Sequence, residues 1–364
     1  MEWSGNLLES GSGDKTKKSD DVESPRISGG ALEILAMSLK MGLMAFGGPV
    51  AHVAMMEREI IAGRKWVKRD HFMDLLALTN LVPGPNSTQM IMHVGFIRGG
   101  DAGNWLAGLG FILPAFLITL GLSRLYVTAG QIPAVESLFY GIKPAIVALI
   151  ATALWRMIGK NVRHLEAGII FVLATVAAAL GVNELIVMGA GALYGLGKSF
   201  KPERILSLAP LTLLLATAGN ASLPFPVPLA RLGLLFLRFG ATLYGSGYLL
   251  IAFIQHDLVE RLGWLTNQQL LDAIAIGQMT PGPILTTSTA VGYITAGSPG
   301  AVVATVAIFL PSFLFVSIVG RFIPALRQSA TARYVLDGIL PAVLGVLTVV
   351  AFNLASAALV DVTA

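Results

Sequence analysis

A Pro-Gly-Pro tripeptide occurs twice in this chain, at residues 83–85 and 281–283, each time inside an apolar stretch of membrane length. Proline lacks an amide hydrogen and keeps the residue before it out of the helical conformation, so each tripeptide interrupts a helix. Inside a bilayer such an interruption is tolerated only where protein or water satisfies the freed backbone groups. The chain is therefore expected to contain two broken helices that face protein or water.

The two tripeptides belong to a duplicated unit. An offset of 198 residues superimposes them, and further identical pairs at this offset are Gly42 and Gly240, Gly47 and Gly245, Trp66 and Trp264, Asp74 and Asp272, Thr88 and Thr286, and Gly99 and Gly297. After a one-residue deletion an offset of 197 pairs Pro114 with Pro311 and Pro144 with Pro341. The pattern predicts a first repeat at 30–160, connecting transmembrane segments at 161–222 and a second repeat at 223–364.

The composition predicts an all-α polytopic membrane protein. Hydrophobic residues make up 55% of the chain and charged residues 13%, against about 25% charged residues in soluble domains. The absence of cysteine excludes disulfides and thiolate metal sites, and we predict neither metal nor cofactor. The basic residues lie in short loops rather than on one continuous face, which argues against nucleic-acid binding. Residues 1–29 are polar and are expected to form a disordered cytoplasmic tail.

The charge of equivalent loops predicts that the two repeats have inverted topology. The loop at 58–69 carries five basic residues, whereas its counterpart in the second copy offers only Arg261. In the next equivalent loops the second copy carries more basic residues than the first. Because basic loops favour the cytoplasmic side, equivalent loops favour opposite sides of the membrane. Inverted repeats with broken helices or re-entrant hairpins around a central site form a transporter architecture. A topology in which every apolar stretch crosses the membrane stays open as the alternative.

The residues at the breaks predict a site for an oxyanion. Pro85 suits a first helical position, and a helix start presents free backbone amides that favour negative charge. The candidate substrate-binding residues at the breaks are Gly47, Gly48, Pro49, Pro83, Gly84, Pro85, Asn86, Ser87, Thr88 and Gln89 in the first copy, and Pro281, Gly282, Pro283, Thr286, Thr287 and Ser288 in the second. A packing kink lined with small residues is the alternative interpretation.

Three cations within apolar runs extend this candidate site. Lys40 and Arg238 are equivalent at the 198 offset, and Lys143 precedes Pro144. With no obvious buried acids as partners, these cations suit a doubly negative ligand; snorkelling to the interface is the alternative.

Four further titratable residues keep two interpretations each. Asp74 and Asp272 could carry a coupling proton or simply start helices. His52 and His93 flank the breaks of the first copy and could titrate or only pack.

Several of these motifs resemble those of the chromate ion transporter family. They are residues 46–49 (FGGP), Ala51 with His52, Trp66, residues 83–89 (PGPNSTQ), Gly95 and residues 141–144 (GIKP). The resemblance implies a two-domain, long-chain transporter with antiparallel repeats in a bacterial inner membrane, associated with chromate efflux, chromate resistance and sulfate exchange. In the second copy Ile284 and Leu285 replace Asn86 and Ser87, so the halves are not expected to bind substrate equally.

We interpret the chain as a secondary transporter, not an enzyme, that moves chromate by alternating access. Its expected partners are chromate or sulfate and the lipid bilayer, and a homodimer stays open. An oxyanion channel, a sulfate transporter and a membrane scaffold without transport are the competing interpretations.

The inverted topology is testable because the chain has no native cysteine to interfere. Single cysteines placed near Lys65 and near Gly263 should react with a membrane-impermeant thiol reagent from opposite sides of the membrane, since equivalent loops of inverted repeats face opposite compartments. Labelling of both positions from the same side would contradict inversion.

Overall fold

The computed structural model describes residues 30–46, 49–79, 82–129, 133–199, 229–244, 247–319 and 330–359. All regular elements in these ranges are helical, and four of the helices are apolar and long enough to cross a membrane. These four lie at Asn86–Ala129, Gly141–Asn161, Ile284–Ile318 and Tyr334–Ala358. The predicted all-α polytopic membrane fold is therefore confirmed. The tail at 1–29, the whole segment at 200–228 and the bends at Gly47-Gly48 and Gly245-Ser246 lie outside the described residues.

The first half begins with a helix that is interrupted where the glycine-proline motif predicts a bend. Its elements in order are α1 (Gly30–Met44), α2 (Pro49–Met56), a π-helical turn (Glu57–Gly63), α3 (Arg69–Thr79), α4 (Asn86–Ala129) and α5 (Pro133–Asn161). The first Pro-Gly-Pro turn separates α3 from α4. Two connecting helices follow, α6 (Leu165–Ala179) and α7 (Glu184–Ser199).

The second half repeats this order, with one added 3₁₀ turn before its long helix. It consists of α8 (Leu229–Thr242), α9 (Leu249–Ile254), a π-helical turn (Gln255–Arg261), α10 (Asn267–Met279), a 3₁₀ turn (Ile284–Thr286), α11 (Thr287–Val319) and α12 (Ala330–Leu359). Even the residue with left-handed backbone after each π-helical turn is equivalent, Lys65 with φ 53° and Gly263 with φ 61°. The opposite orientation of the halves and the domain bounds stay predictions.

Both long helices are sharply bent, at Gly99-Gly100 in α4 and at Ala296-Gly297 in α11. The positive φ angles fall on Gly100 (57°) and Gly297 (64°), so the structure pairs Gly297 with Gly100 and not with Gly99 as the sequence offset suggested. The one-residue deletion therefore lies before this bend. Because of the bend, the two limbs of each helix fold back on each other.

Glycine makes these hairpins possible. In α4 a Cβ atom on Gly95 would clash with the Gly103 carbonyl, and in α11 a Cβ atom on Gly292 would clash with the Gly300 carbonyl. The limbs therefore approach backbone to backbone, as small residues allow in membrane proteins.

The packing of the helices is also repeated. Helix α1 lies along α4 in the first half as α8 lies along α11 in the second, and α4 contacts α11 across the boundary. Helices α5, α6 and α7 all pack on α12. The two halves thus meet through their bent helices, which bear the Pro-Gly-Pro turns at their starts.

The close approach within α4 predicts different effects for two glycine substitutions in one helix. Gly95→Ala should lower the free energy of unfolding by about 1–3 kcal/mol, since its new methyl overlaps backbone. Gly121→Ala is the matched control, because nothing lies within 4 Å of its Cβ position, and it should be neutral or stabilising. Thermal unfolding of the purified variants measures both. Equal effects would contradict the hairpin packing.

Candidate oxyanion site

Each Pro-Gly-Pro turn is hydrogen-bonded to the helix break of the other half. The Gly84 amide donates to the Leu243 carbonyl at 2.6 Å, and the Gly282 amide donates to the Ala45 carbonyl at 2.8 Å. Leu243 follows α8 and Ala45 follows α1, so the two bonds are equivalent at the 198 offset. The breaks that the sequence places far apart are therefore brought together.

The first turn needs glycine at its centre and ends in a helix start. Gly84 has φ 132°, a conformation that residues with a Cβ atom rarely adopt. The Gln89 amide donates to the Pro85 carbonyl at 2.9 Å, so Pro85 is the N-cap of α4. The sequence had suggested instead that Pro85 is the first helical residue. The Gln89 side chain donates back to the Pro83 carbonyl at 2.6 Å and stabilises the turn.

The second turn has the same backbone but different side-chain bonding. Gly282 has φ 109°, and Pro283 precedes the 3₁₀ turn that leads into α11. The Thr286 hydroxyl donates to the Pro283 carbonyl at 2.9 Å, and the Thr287 hydroxyl lies against Gly277. Both hydroxyls thus point at backbone of their own half.

The two helix starts share a small cavity. It is lined by His52, Pro85, Asn86, Ser87, Gly247, Pro283, Ile284 and Leu285. Its volume is about 10 Å³, about the space that a single water molecule needs. The turns are therefore closed on each other in this structure, and a tetrahedral oxyanion requires them to separate.

Several polar groups near the turns are buried without a hydrogen-bond partner in the described part of the chain. They are the hydroxyls of Thr88, Ser288 and Ser312 and one ring nitrogen of His52. The other His52 nitrogen lies 3.0 Å from the Ala45 carbonyl, and because a carbonyl only accepts, this nitrogen carries the hydrogen. Buried groups of this kind are costly unless they bind something, so these groups are candidates for contact with a polar ligand.

The three predicted cations do not line the cavity, and each has a carboxylate partner. Lys40 lies 2.8 Å from Glu59, and Arg238 contacts Asp257. Both pairs are separated by 19 residues and are equivalent, so the ion pair is duplicated with the rest of the unit. The expectation that the three cations lack acids was wrong. The partners of Lys40 and Arg238 lie in the π-helical turns, and the partner of Lys143 is Asp272 in α10.

The first of these pairs is exposed and the second is buried. The Lys40 side chain is 52% exposed, whereas Asp257 is 1% exposed and also meets Arg261 at 2.9 Å. The hydrogen bond from Lys40 lowers the pKa of Glu59, and burial opposes this only in part. The role of Lys40 and Arg238 in balancing substrate charge stays a prediction.

Lys143 takes part in a buried network that joins the two halves. Its ammonium lies 3.4 Å from one Asp272 oxygen, and the Tyr126 hydroxyl donates to the other at 2.7 Å. Lys143 and Tyr126 belong to the first half and Asp272 to the second. Towards the second turn the same interface continues with a hydrogen bond between the hydroxyls of Thr119 and Thr280. Sequence reasoning considered Lys143 and Asp272 separately and missed Tyr126 and Ser312.

The fold defines a polytopic membrane protein with a duplicated core, in which two unwound turns meet at one buried cavity, an arrangement that membrane transporters use. Comparison with known proteins agrees with this class. The chain belongs to the chromate transporter family, whose sequence model matches residues 32–196 and 230–364. The two matches contain both Pro-Gly-Pro turns.

Curated relatives align with most of the chain. A chromate transport protein of Cupriavidus metallidurans is 29% identical over 91% of this chain and 84% of its own length. A chromate transport protein of Pseudomonas aeruginosa is 34% identical over 89% of this chain and 80% of its own length. An uncharacterized transporter of Methanocaldococcus jannaschii is 30% identical over 94% of this chain and 88% of its own length. No solved structure matches the chain.

The buried pair between the halves predicts a strong energetic coupling. Lys143→Met or Asp272→Asn alone should lower the free energy of unfolding by about 3–5 kcal/mol, because each leaves a buried charge unpaired. The double variant should regain most of this loss. A double-mutant cycle of thermal or chemical unfolding measures the coupling. In the matched cycle on the exposed pair, Lys40→Met with Glu59→Gln, we expect less than about 1 kcal/mol. Similar couplings in the two cycles would contradict the burial of Lys143.

Proposed function

We propose that this protein transports chromate, a tetrahedral dianion, across the membrane through the cavity between the two Pro-Gly-Pro turns. Membership of the family and the names of two relatives support the substrate. The observation that carries the proposed site is the reciprocal pair of bonds, Gly84 to Leu243 and Gly282 to Ala45, which holds two helix starts against one cavity.

The helix starts supply the positive potential that an oxyanion needs. The first amides of α4 have no acceptor within their own helix, and the helix dipole adds partial positive charge at the same end. Asn86 and Ser87 line the cavity, and Thr88 follows with a hydroxyl that has no partner among the described residues. These groups would replace the hydration shell of the anion as it enters.

Opening of the site follows from the closed geometry. A cavity of about 10 Å³ is too small for an oxyanion, so at least one of the reciprocal bonds must break for substrate to enter. Breaking the Gly84 bond while the Gly282 bond holds would open one route, and the reverse would open the other. The pseudo-symmetry of the halves thus supports alternating access.

Of the three cations, Lys143 is best placed to balance the charge of the substrate during transport. It is buried at the interface between the halves and lies 3.4 Å from Asp272, which is longer than a close charge-assisted hydrogen bond. When the halves separate, Lys143 can leave Asp272 and balance one charge of the anion. Lys40 and Arg238 would then act at a distance, through the α1 and α8 helices that carry them.

We also propose that the protein moves chromate out of the cytoplasm and thereby confers chromate resistance. It would lie in a bacterial inner membrane with its N-terminus in the cytoplasm. Sulfate has the same shape and charge as chromate, so a site built from amides and hydroxyls does not bind one of these anions selectively over the other. Sulfate transport or chromate–sulfate exchange is therefore the alternative, and an oxyanion channel would use the same site without exchange.

Loss of one hydroxyl should weaken chromate binding without unfolding the protein. Thr88→Ala should raise the KM for chromate in proteoliposomes about tenfold or more, since a hydrogen bond to a charged group contributes about 1.5–3 kcal/mol. Its free energy of unfolding should fall by no more than about 1 kcal/mol, the cost of losing one buried methyl group, because the hydroxyl has no partner in the described ranges. Thr348→Ala is the control, since its hydroxyl is bonded to Leu344 within α12, and its KM should stay that of the wild type.

The same vesicles test the function itself. Absence of chromate flux from the wild-type protein would contradict chromate transport. Trans-stimulation of labelled sulfate flux by chromate would establish exchange, whereas flux without trans-stimulation would favour a channel.

A further inference from the structure

The two Pro-Gly-Pro turns face different side chains in equivalent positions. A Cβ atom on Gly84 would lie 2.6 Å from the Ser312 hydroxyl, and one on Gly282 would lie 2.5 Å from the Ala115 methyl. Ser312 and Ala115 are equivalent at the 197 offset, so each turn is covered by the bent helix of the other half. The first turn therefore meets a hydroxyl where the second meets a methyl group.

The Ser312 hydroxyl is available for a ligand. Ser312 is fully buried and its hydroxyl has no hydrogen-bond partner within the described residues. Helical hydroxyls in apolar surroundings usually donate to the carbonyl four residues earlier, as Thr305 does to Ala301 and Thr295 to Val291 in the same helix. Ser312 makes no such bond, so its donor is not used by the helix.

The second turn, by contrast, has most of its hydroxyls engaged. Thr280 donates to the Gly277 carbonyl, Thr286 donates to the Pro283 carbonyl, and Thr289 bonds to Thr305. Ser288 alone among the hydroxyls described near this turn is buried without a partner. The free donors are thus more numerous at the first turn, where Thr88 and Ser312 are both without partners.

We propose that Ser312 is a substrate-binding residue, which donates a hydrogen bond from the second half to the oxyanion held at the Gly84 turn. This proposal rests on the proposed function. The substrate site then combines the α4 helix start with one hydroxyl of α11, and the Gly282 turn serves as its structural counterpart. In the closed structure Gly84 lies directly against Ser312, so an anionic oxygen would reach this hydroxyl only after the turn moves away.

The pseudo-symmetry provides the experiment. Initial rates of chromate flux are measured in proteoliposomes for the wild type, Ser312→Ala, Ala115→Ser and the variant with both changes. Ser312→Ala should raise the KM for chromate about tenfold and leave thermal stability unchanged, because no described hydrogen bond is lost. Ala115→Ser should keep the wild-type KM, and the double variant should behave like Ser312→Ala.

The possible results separate this inference from the proposed function. Wild-type flux that weakens in Thr88→Ala but not in Ser312→Ala would overturn the role of Ser312 and leave chromate transport standing. A wild-type KM in the double variant would also overturn it, because a hydroxyl at either turn would then suffice. No wild-type flux would overturn chromate transport and, with it, this inference.

Discussion

The structure depends on how a membrane protein satisfies the backbone of a broken helix. Hydrocarbon offers no partner to a free amide or carbonyl. In this chain the amides of Gly84 and Gly282 find acceptors at Leu243 and Ala45, each in the opposite half. Neither half completes its own turn, so the contact between the halves is a condition of the fold and not an addition to it. The cavity lies at this contact because the helix starts are held there.

Much of this arrangement could be predicted from the sequence, because it follows from residue types with strict backbone preferences. The prolines at 83, 85, 281 and 283 interrupt helices because they flank a glycine, whereas single prolines such as Pro144 and Pro341 lie inside helices. The fixed offset reveals the duplication. The offset also contains a signal for the ion pairs: Lys40 and Glu59 recur as Arg238 and Asp257 at the same separation of 19 residues. Opposite charges repeated at one spacing are a signal of a duplicated ion pair, and they would have given these cations their partners.

Other features have no local signal in the sequence. Lys143 and Asp272 lie in different halves, and only the packing of α5 on α10 brings them together. The same holds for Ser312, whose importance arises from the turn that it faces and from the absence of a bond that other helical hydroxyls make. The bend at Gly100 shows a smaller limit, since Gly99 and Gly100 are equally plausible until the backbone angles are known. Contacts between distant segments depend on tertiary packing, which spacing along the chain does not encode.

The reciprocal turns also constrain how the protein is made. Gly84 emerges from the ribosome long before its acceptor, Leu243, has been translated. At about 5–20 residues per second the delay is on the order of ten seconds, during which the nascent first turn stays without its final partner. Its interim partners must be water, lipid headgroups or the insertion machinery. The N-terminal half can therefore complete its fold only after the C-terminal half has been synthesised. A chain truncated before Leu243 would lack the acceptor for the Gly84 amide.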